Sequence, residues 1–414
     1  MLSEQTIFII LLVIISADFI LERVLQFLNT RSSKKAIPKE LEGIYNEEKY
    51  AKSQAYGRET ARFSMLTSTF SFVLLVAAIG FGWFGMLDKW LREFSPFAPL
   101  TTLMFFGVLF VISDILGTPF SLYQTFVIEQ KYGFNKMTQK TFWLDKLKSY
   151  LLTIIVGGIL LSALIYLVML MGSGFWIYFW VIITVVILFV NVFYTSILLP
   201  LFNKLTPMQD GELKDSIQTY SDKVGFPLKN IFVMDGSKRS SKGNAFFSGL
   251  GKKKKVVLFD TLIENHTTEE LTAVFAHEVG HYKKKHIILG TVISIATMGI
   301  MLFLLSRMIY NSEVSWAMGG DVSALHLNIL AFGILYTPLS RIIGLVGNVI
   351  SRKNEYEADE YAVTTYGGQA LIDALKKLSS DHLSNLTPHP AYVFVHYSHP
   401  PLLQRVKAMM KTMG

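Results

Sequence analysis

Along the chain, long runs of apolar residues alternate with shorter stretches dense in charge. Crossing the hydrocarbon core takes roughly 20 apolar residues. Seven runs reach or approach that length, at 7–28, 65–87, 100–115, 150–171, 175–200, 287–305 and 327–350. The pattern predicts a mainly α, polytopic membrane protein of about seven transmembrane helices. The first run lacks a basic leader and a small-residue cleavage site, so it reads as a retained span. Four ionisable residues interrupt the spans: Asp18 and Glu22 in the first, Asp114 in the third and Arg341 in the seventh. Such groups are costly in lipid and are expected to face partners or a wet interior.

The charges between the spans set an orientation. After the first run come Arg31, Lys34, Lys35, Lys39, Lys49, Lys52, Arg58 and Arg62, and after the third Lys131, Lys136, Lys140, Lys146 and Lys148. The alternate loops hold only Lys89, Arg92 and Arg307. Basic loops remain in the cytoplasm, which puts the N-terminus outside. Four segments follow: 1–200, membrane helices 1–5 with cytoplasmic loops; 201–286, cytoplasmic; 287–350, membrane helices 6 and 7; and 351–414, cytoplasmic.

Segment 201–286 has a different grammar, that of a small α+β unit. "DGELKDSIQTYSDKVGF" (210–226) has helical spacing at Leu213, Ile217, Tyr220 and Val224, "NIFVMD" (230–235) reads as a strand, and "NAFFSGLGKKKKVVLFD" (244–260) as a hairpin. The lysines at 252–255 read as a charged turn near an anionic leaflet. Composition agrees with the membrane reading: 51% of the 414 residues are hydrophobic, and mean hydropathy is +0.40. The net charge of +8 is then explained by cytoplasmic loops, without nucleic acid. The chain has no cysteine, which excludes disulfides, thiol catalysis and Cys-ligated zinc.

Candidate chemistry sits in "HTTEELTAVFAHEVGHYKKKH" (266–286). Thr267 and Glu270 can form a capping box, and Leu271, Val274, Phe275 and Val279 share an apolar face. His277 and His281, four apart on this helix, can chelate one zinc ion, with Glu278 placed as general base. The bland alternative is an amphipathic helix with surface histidines. His286, nine residues from His277, is rotated by about 900° and so reads as a helix-end histidine on the opposite face. The lysines between mark the membrane edge, so the helix is expected to run directly into the bilayer. A third ligand must come from elsewhere, and "NVISRKNEYEADEYA" (348–362) supplies Glu355, with Asp359 one turn on to orient a ligating histidine. Glu357 and Glu360 read as surface carboxylates. In "YSHPPLLQRVKAMM" (397–410), His399 is a candidate oxyanion contact no better placed by sequence than His382, His389 or His396, and Arg405 follows six residues later.

Together, "AVFAHEVGH", "SRKNEYEAD" and "SHPPLLQR", with "YGFNKMT", "PLFNKLTP", "FPLKNIFVMDGSKRSSKGNAFFSG" and "KKVVLFDTLI" in order, resemble the type I CAAX prenyl proteases, membrane zinc metalloproteases of the gluzincin kind. The resemblance covers essentially the whole chain. It implies seven tilted helices around a large water-filled chamber, with a zinc-metalloprotease domain at the cytoplasmic face. It further implies one zinc ion held by His277, His281 and Glu355, Glu278 as catalytic acid/base, and Asp359 behind the ligands. His399 and Arg405 become substrate and transition-state contacts, Asn244 and Ala245 part of an edge strand pairing with substrate backbone, and Asn348 a substrate contact near the metal. The expected substrate is a peptide or protein, prenylated as in the family's eukaryotic members. The expected assembly is a monomer embedded in membrane lipid. Absence of cysteine and of a retention signal favours a bacterial inner membrane, with the ER membrane as the alternative. Two other readings stay open: a quality-control protease of the HtpX kind, and a transporter with a structural zinc domain, for which Glu278 would have no use.

Overall fold

The computed structural model describes residues 2–33, 36–248 and 254–414. Lys34, Lys35 and the centre of the 244–260 turn, including Lys252 and Lys253, lie outside the described residues.

The N-terminal half is helical: α1 Glu4–Ser32, α2 Glu47–Gly80, α3 Trp83–Phe94, α4 Ala98–Tyr123, α5 Gln139–Leu152, α6 Gly158–Met171 and α7 Phe175–Phe193. The expected span at 65–87 is broken, because α2 stops at Gly80 and Gly82 takes a left-handed turn (φ 66°) before α3. The runs at 150–171 and 175–200 fall within one apolar helical stretch, Gln139–Leu201, interrupted by a 3₁₀ turn at Gly172–Gly174. Four described stretches are long and apolar enough to cross a membrane, or five with one bent pair counted as a single span. Only 6% to 17% of the residues in their apolar windows are buried within the protein. Their outward apolar faces therefore need a lipid environment.

The segment 201–286 is built differently. Helix α8 (Glu212–Lys223) and a four-stranded sheet frame it, with β1 Leu205–Pro207, β2 Leu228–Met234, β3 Ala245–Ser248 and β4 Lys254–Phe259 in the order β1-β2-β4-β3. β3 and β4 pair antiparallel, as expected of the hairpin, whereas β2 and β4 run parallel. β3 is thus an edge strand. Lys254 departs from the expected solvent-facing turn: it opens β4, is buried, and places its Nζ 4.9 Å from the Tyr282 ring centroid.

Next comes α9 (Thr268–Lys283), then α10 (His286–Met308), α11 (Leu325–Leu335), α12 (Thr337–Thr365), α13 (Gly368–Asp381), α14 (Pro390–His396) and α15 (Leu402–Met413). The seventh expected span is the bent pair, since α11 and α12 meet at 48°. Pro338 suits this break, since it falls in the first turn of α12, where the missing amide hydrogen would have no partner in the helix. At 29 residues, α12 is about 43 Å long, enough to leave the apolar region and still carry Glu355 and Asp359 to α9. One core lies among the sheet, α8, α9, α12, α13 and α15, with Phe275, Leu271, Leu258, Ile217 and Leu371 each at most 1% exposed. The candidate ligands lie beside this core, on α9 and α12.

Candidate metal centre

Helix α9 starts as its sequence dictates. The Thr267 hydroxyl accepts from the Glu270 amide (3.2 Å), and the Glu270 carboxylate accepts from the Thr267 amide (2.9 Å). From Leu271 to Gly280 the helix is buried almost throughout, Glu278 alone being partly accessible. Its closest neighbour is α12, and Gly280 explains the approach: a Cβ there would lie 2.9 Å from the Ala358 Cα and 3.0 Å from the Ala358 carbonyl oxygen. Without a side chain at that point the two helices meet backbone to backbone. The carboxylates flanking Ala358 then face the histidines flanking Gly280.

His277, His281 and Glu355 each present one ligand atom, and all three atoms lie within 4.8 Å of one another. The two Nε2 atoms are 3.1 Å apart. Glu355 Oε1 is 3.3 Å from His281 Nε2, and Oε2 is 3.5 Å from His277 Nε2. Tetrahedral zinc with Zn–N bonds of about 2.05 Å would separate two imidazole nitrogens by about 3.3 Å, close to the spacing seen. Proton placement also favours a cation. Asp359 Oδ1 lies 2.9 Å from His277 Nδ1; a carboxylate only accepts, so Nδ1 carries the hydrogen and the Nε2 lone pair points at its neighbours. Glu355 Oε2 is buried without a hydrogen-bond partner. Two imidazoles and an unsatisfied carboxylate oxygen converging in a buried place fit a divalent metal. Burial opposes charge on His277, but the adjacent Asp359 and Glu355 carboxylates outweigh it and raise its pKa to about 9. The pocket therefore favours a positive charge at Nε2, where a proton and a metal ion would compete for the same lone pair.

Glu278 has no hydrogen-bond or ion-pair partner among the described residues. Burial pushes its carboxyl above the usual carboxylate range, against the pull of His277 and His281. A carboxylate so placed can take and return a proton.

The other expected residues fall into two groups. Arg405 is buried, donating from Nε to Asp359 Oδ2 (2.8 Å) and from Nη2 to Oδ1 (2.6 Å), and leaving Nη1 3.4 Å from Glu355 Oε2. His399 has a largely exposed side chain, with Nε2 3.3 Å from Glu355 Oε1. His382, His389 and His396 make other contacts: His389 caps α14, and His396 Nε2 is 3.3 Å from Glu22. Ala245 opens the edge strand β3, and the Asn244 carbonyl accepts from the Phe259 amide (3.0 Å). Asn348 lies two turns before Glu355 on α12, and its side chain donates to the Val395 carbonyl (2.7 Å), joining α12 to α14.

Three expectations need correction. Helix α9 does not run on into the bilayer: it ends at Lys283, Lys285 adopts the left-handed conformation (φ 59°), and α10 restarts at His286. The 100° periodicity therefore stops short of His286. Instead of pointing away, His286 is buried with its Nδ1 2.9 Å from His281 Nδ1. Glu357, expected as a surface carboxylate, lies 3.1 Å from His286 Nε2, whereas Glu360 is exposed. Sequence reading also missed Arg352, whose guanidinium donates to the carbonyls of Val393 and Tyr397 and ties α12 to α14. The charged run "KKKH" abutting an apolar span was the available sign of a helix break.

Comparison with known proteins follows the same outline. Residues 26–204 match the family model for the CAAX prenyl protease N-terminal region with five membrane helices, and residues 207–413 match peptidase family M48. The chain is 36% identical over 388 residues to the CAAX prenyl protease 1 homolog of Arabidopsis thaliana, covering 90% of each chain. It is 35% identical over 404 residues to CAAX prenyl protease 1 of Saccharomyces cerevisiae, covering 91% of this chain and 89% of that one. The crystal structure of S. mikatae Ste24p superposes with a TM-score of 0.91 at 34% identity, over 97% of this chain and 99% of the other. A multi-pass N-terminal half and an M48 C-terminal half, both matched along nearly their full length, make this chain a member of the M48 peptidases, in the branch of the CAAX prenyl proteases.

Proposed function

We propose that this membrane metallopeptidase uses one zinc ion, held by His277, His281 and Glu355, to hydrolyse peptide bonds near the C-terminus of prenylated CAAX proteins. The observation that carries the reading is the convergence of those three ligand atoms beside an unpaired Glu278 carboxylate. Zinc bound there would supply Lewis acidity to the scissile carbonyl and to the attacking water. Glu278 takes the proton from that water and delivers it to the leaving amide nitrogen. His399, exposed beside Glu355, donates to the developing oxyanion. Arg405 is already engaged by Asp359, and we assign it a positioning role: it holds the carboxylate that orients His277. We assign the free edge of β3, where Ala245 follows Asn244, to pairing with an extended substrate, and Asn348, two turns before Glu355, to a substrate contact near the metal.

The reading includes an architecture. Segments 1–200 and 287–350 form the membrane part, with seven spans around a polar chamber; segments 201–286 and 351–414 form the cytoplasmic catalytic part. The bias of basic loops supports an N-terminus outside. Polar pairs between spans support the chamber: Arg341 with Asp18 (2.8 Å), and Asp114 with Lys146 (3.0 Å). The cysteine-free composition favours a bacterial inner membrane. Purified protein incubated with a farnesylated CAAX peptide, its unprenylated twin and a zinc-chelated control tests the substrate. Cleavage confined to the prenylated peptide and abolished by chelation is expected. Equal cleavage of both peptides would overturn the specificity, and cleavage that survives chelation the zinc chemistry.

A further inference from the structure

The two candidate histidine ligands are held from behind in different ways. His277 meets a carboxylate directly, through Asp359. His281 meets another histidine: its Nδ1 lies 2.9 Å from His286 Nδ1, with the ring planes at 73° and the centroids 5.1 Å apart. Behind His286 stands Glu357, its Oε2 3.1 Å from His286 Nε2 and its Oε1 3.7 Å from Lys353 Nζ. The contact exists because α9 breaks at Lys284–Lys285, which returns the first residue of α10 against the last turn of α9.

This chain of contacts has a single direction. An ionised carboxylate can only accept, so the hydrogen between Glu357 and His286 belongs to His286 Nε2. Neutral His286 then has an acceptor lone pair at Nδ1, and the hydrogen between the two rings belongs to His281 Nδ1. In that tautomer, His281 keeps its lone pair on Nε2, the atom that faces His277 Nε2 and Glu355. Every member of the relay has one role, and reversing any link would put a hydrogen on the ligand atom.

We propose that His286 and Glu357 are positioning residues that fix the tautomer and ring orientation of His281, so that the affinity of the site for zinc depends on a Glu357–His286–His281 relay. The inference rests on the zinc reading of His277, His281 and Glu355. Outer hydrogen-bond partners of metal-bound histidines typically change metal affinity about 10–100-fold. Glu357 is the better probe because its side chain is about a third exposed and its removal leaves little cavity.

The test uses full-length protein in detergent, with zinc affinity read by competition with a chromogenic chelator and cobalt(II) absorption as a report on ligand geometry. Glu357→Ala and His286→Phe should each weaken zinc binding about 10–100-fold and alter the cobalt spectrum. Glu357→Gln retains an accepting oxygen and should restore part of the loss. The melting temperature of the metal-stripped Glu357→Ala protein should match that of the stripped parent, while its gain on adding zinc shrinks. Parental zinc affinity in both Glu357→Ala and His286→Phe would overturn the relay. So would a drop in the stripped melting temperature with zinc affinity unchanged, which marks a purely structural contact. Glu355→Ala separates the two levels. Metal loss in that variant with normal binding in the Glu357 and His286 variants defeats the relay alone. Parental binding in Glu355→Ala, or no binding by the parent, defeats the zinc assignment and the relay with it.

Discussion

The two ends of α12 treat charge in opposite ways. Near its start, Arg341 pairs with Asp18 (2.8 Å) and Glu22 (2.5 Å), and all three side chains stay between 25% and 32% exposed. Four turns later, Glu355 and Asp359 are almost fully buried and are matched by His277, His281 and Arg405. The first arrangement is open to its surroundings, and with water in the proposed chamber the pairing needs to offset little lost solvation. In the second, desolvation is nearly complete, so each charge must have its partner in place. One helix thus joins a loosely packed polar seam among the membrane spans to a closed ionic cluster in a dense core. Substitutions along it should separate the two regimes.

The largest effect is expected at the one site carboxylate that the cluster leaves unpaired. Glu278→Gln should lower turnover about 10³-fold, equivalent to about 4 kcal/mol of barrier, within the span usual for general acid–base groups. Because Glu278 contributes neither a ligand atom nor an ion pair, zinc content and unfolding midpoint should stay at the parental values. Retained turnover with bound zinc would remove Glu278 from the mechanism.

Next in size is the clamp behind the ligands. Arg405→Ala would leave Asp359 buried without its bidentate partner and Glu355 without its nearest guanidinium nitrogen. Breaking a buried pair from one side costs about 3–5 kcal/mol. The expected outcome is a lowered unfolding midpoint together with weakened zinc binding, measured on the same preparation. An unchanged midpoint would mean that the cluster is more solvated than its burial indicates.

What could be read from sequence divides along the same line. The cap at Thr267, the pair His277 and His281, and the helical spacing of Glu355 and Asp359 follow from local periodicity within single helices, and so were legible. So was the antiparallel pairing of β3 with β4. Contacts that depend on a break in periodicity, or on two distant segments meeting, were not. His286 looked turned away because the 100° count ran through Lys285, whose left-handed backbone resets the phase. Glu357 could be recognised only once His286 stood opposite it. The parallel pairing of β2 with β4 and the addition of β1 join segments whose local patterns say nothing about each other. In the membrane part, hydropathy placed the apolar runs but not their breaks at Gly82 and Tyr336.

A smaller effect should follow from closing the gap between α9 and α12. Gly280→Ala adds one methyl group against the backbone of Ala358, where neither helix has a flexible group to yield. Forcing a methyl into such a contact costs about 1–3 kcal/mol. Since Glu355 and Asp359 flank Ala358, the strain should appear first as weaker zinc binding and second as a lower midpoint. If the midpoint fell while zinc affinity held, the helix contact would support the fold without setting the ligand geometry.

The smallest effect belongs to the membrane end. Arg341→Met removes the cation shared by Asp18 and Glu22, which on paper resembles Arg405→Ala. In a water-filled chamber the partially exposed carboxylates would recover solvation, and His396 Nε2 remains 3.3 Å from Glu22. The cost should therefore fall to about 1 kcal/mol or less, as for solvated ion pairs, and it should shrink further as salt is raised. Zinc binding, four turns away, should not change. A loss matching that of Arg405→Ala would mean that Asp18 and Glu22 sit in dry protein or lipid. The seam would then be a sealed ionic core like the metal centre, and a water-filled chamber between the spans would have to be abandoned.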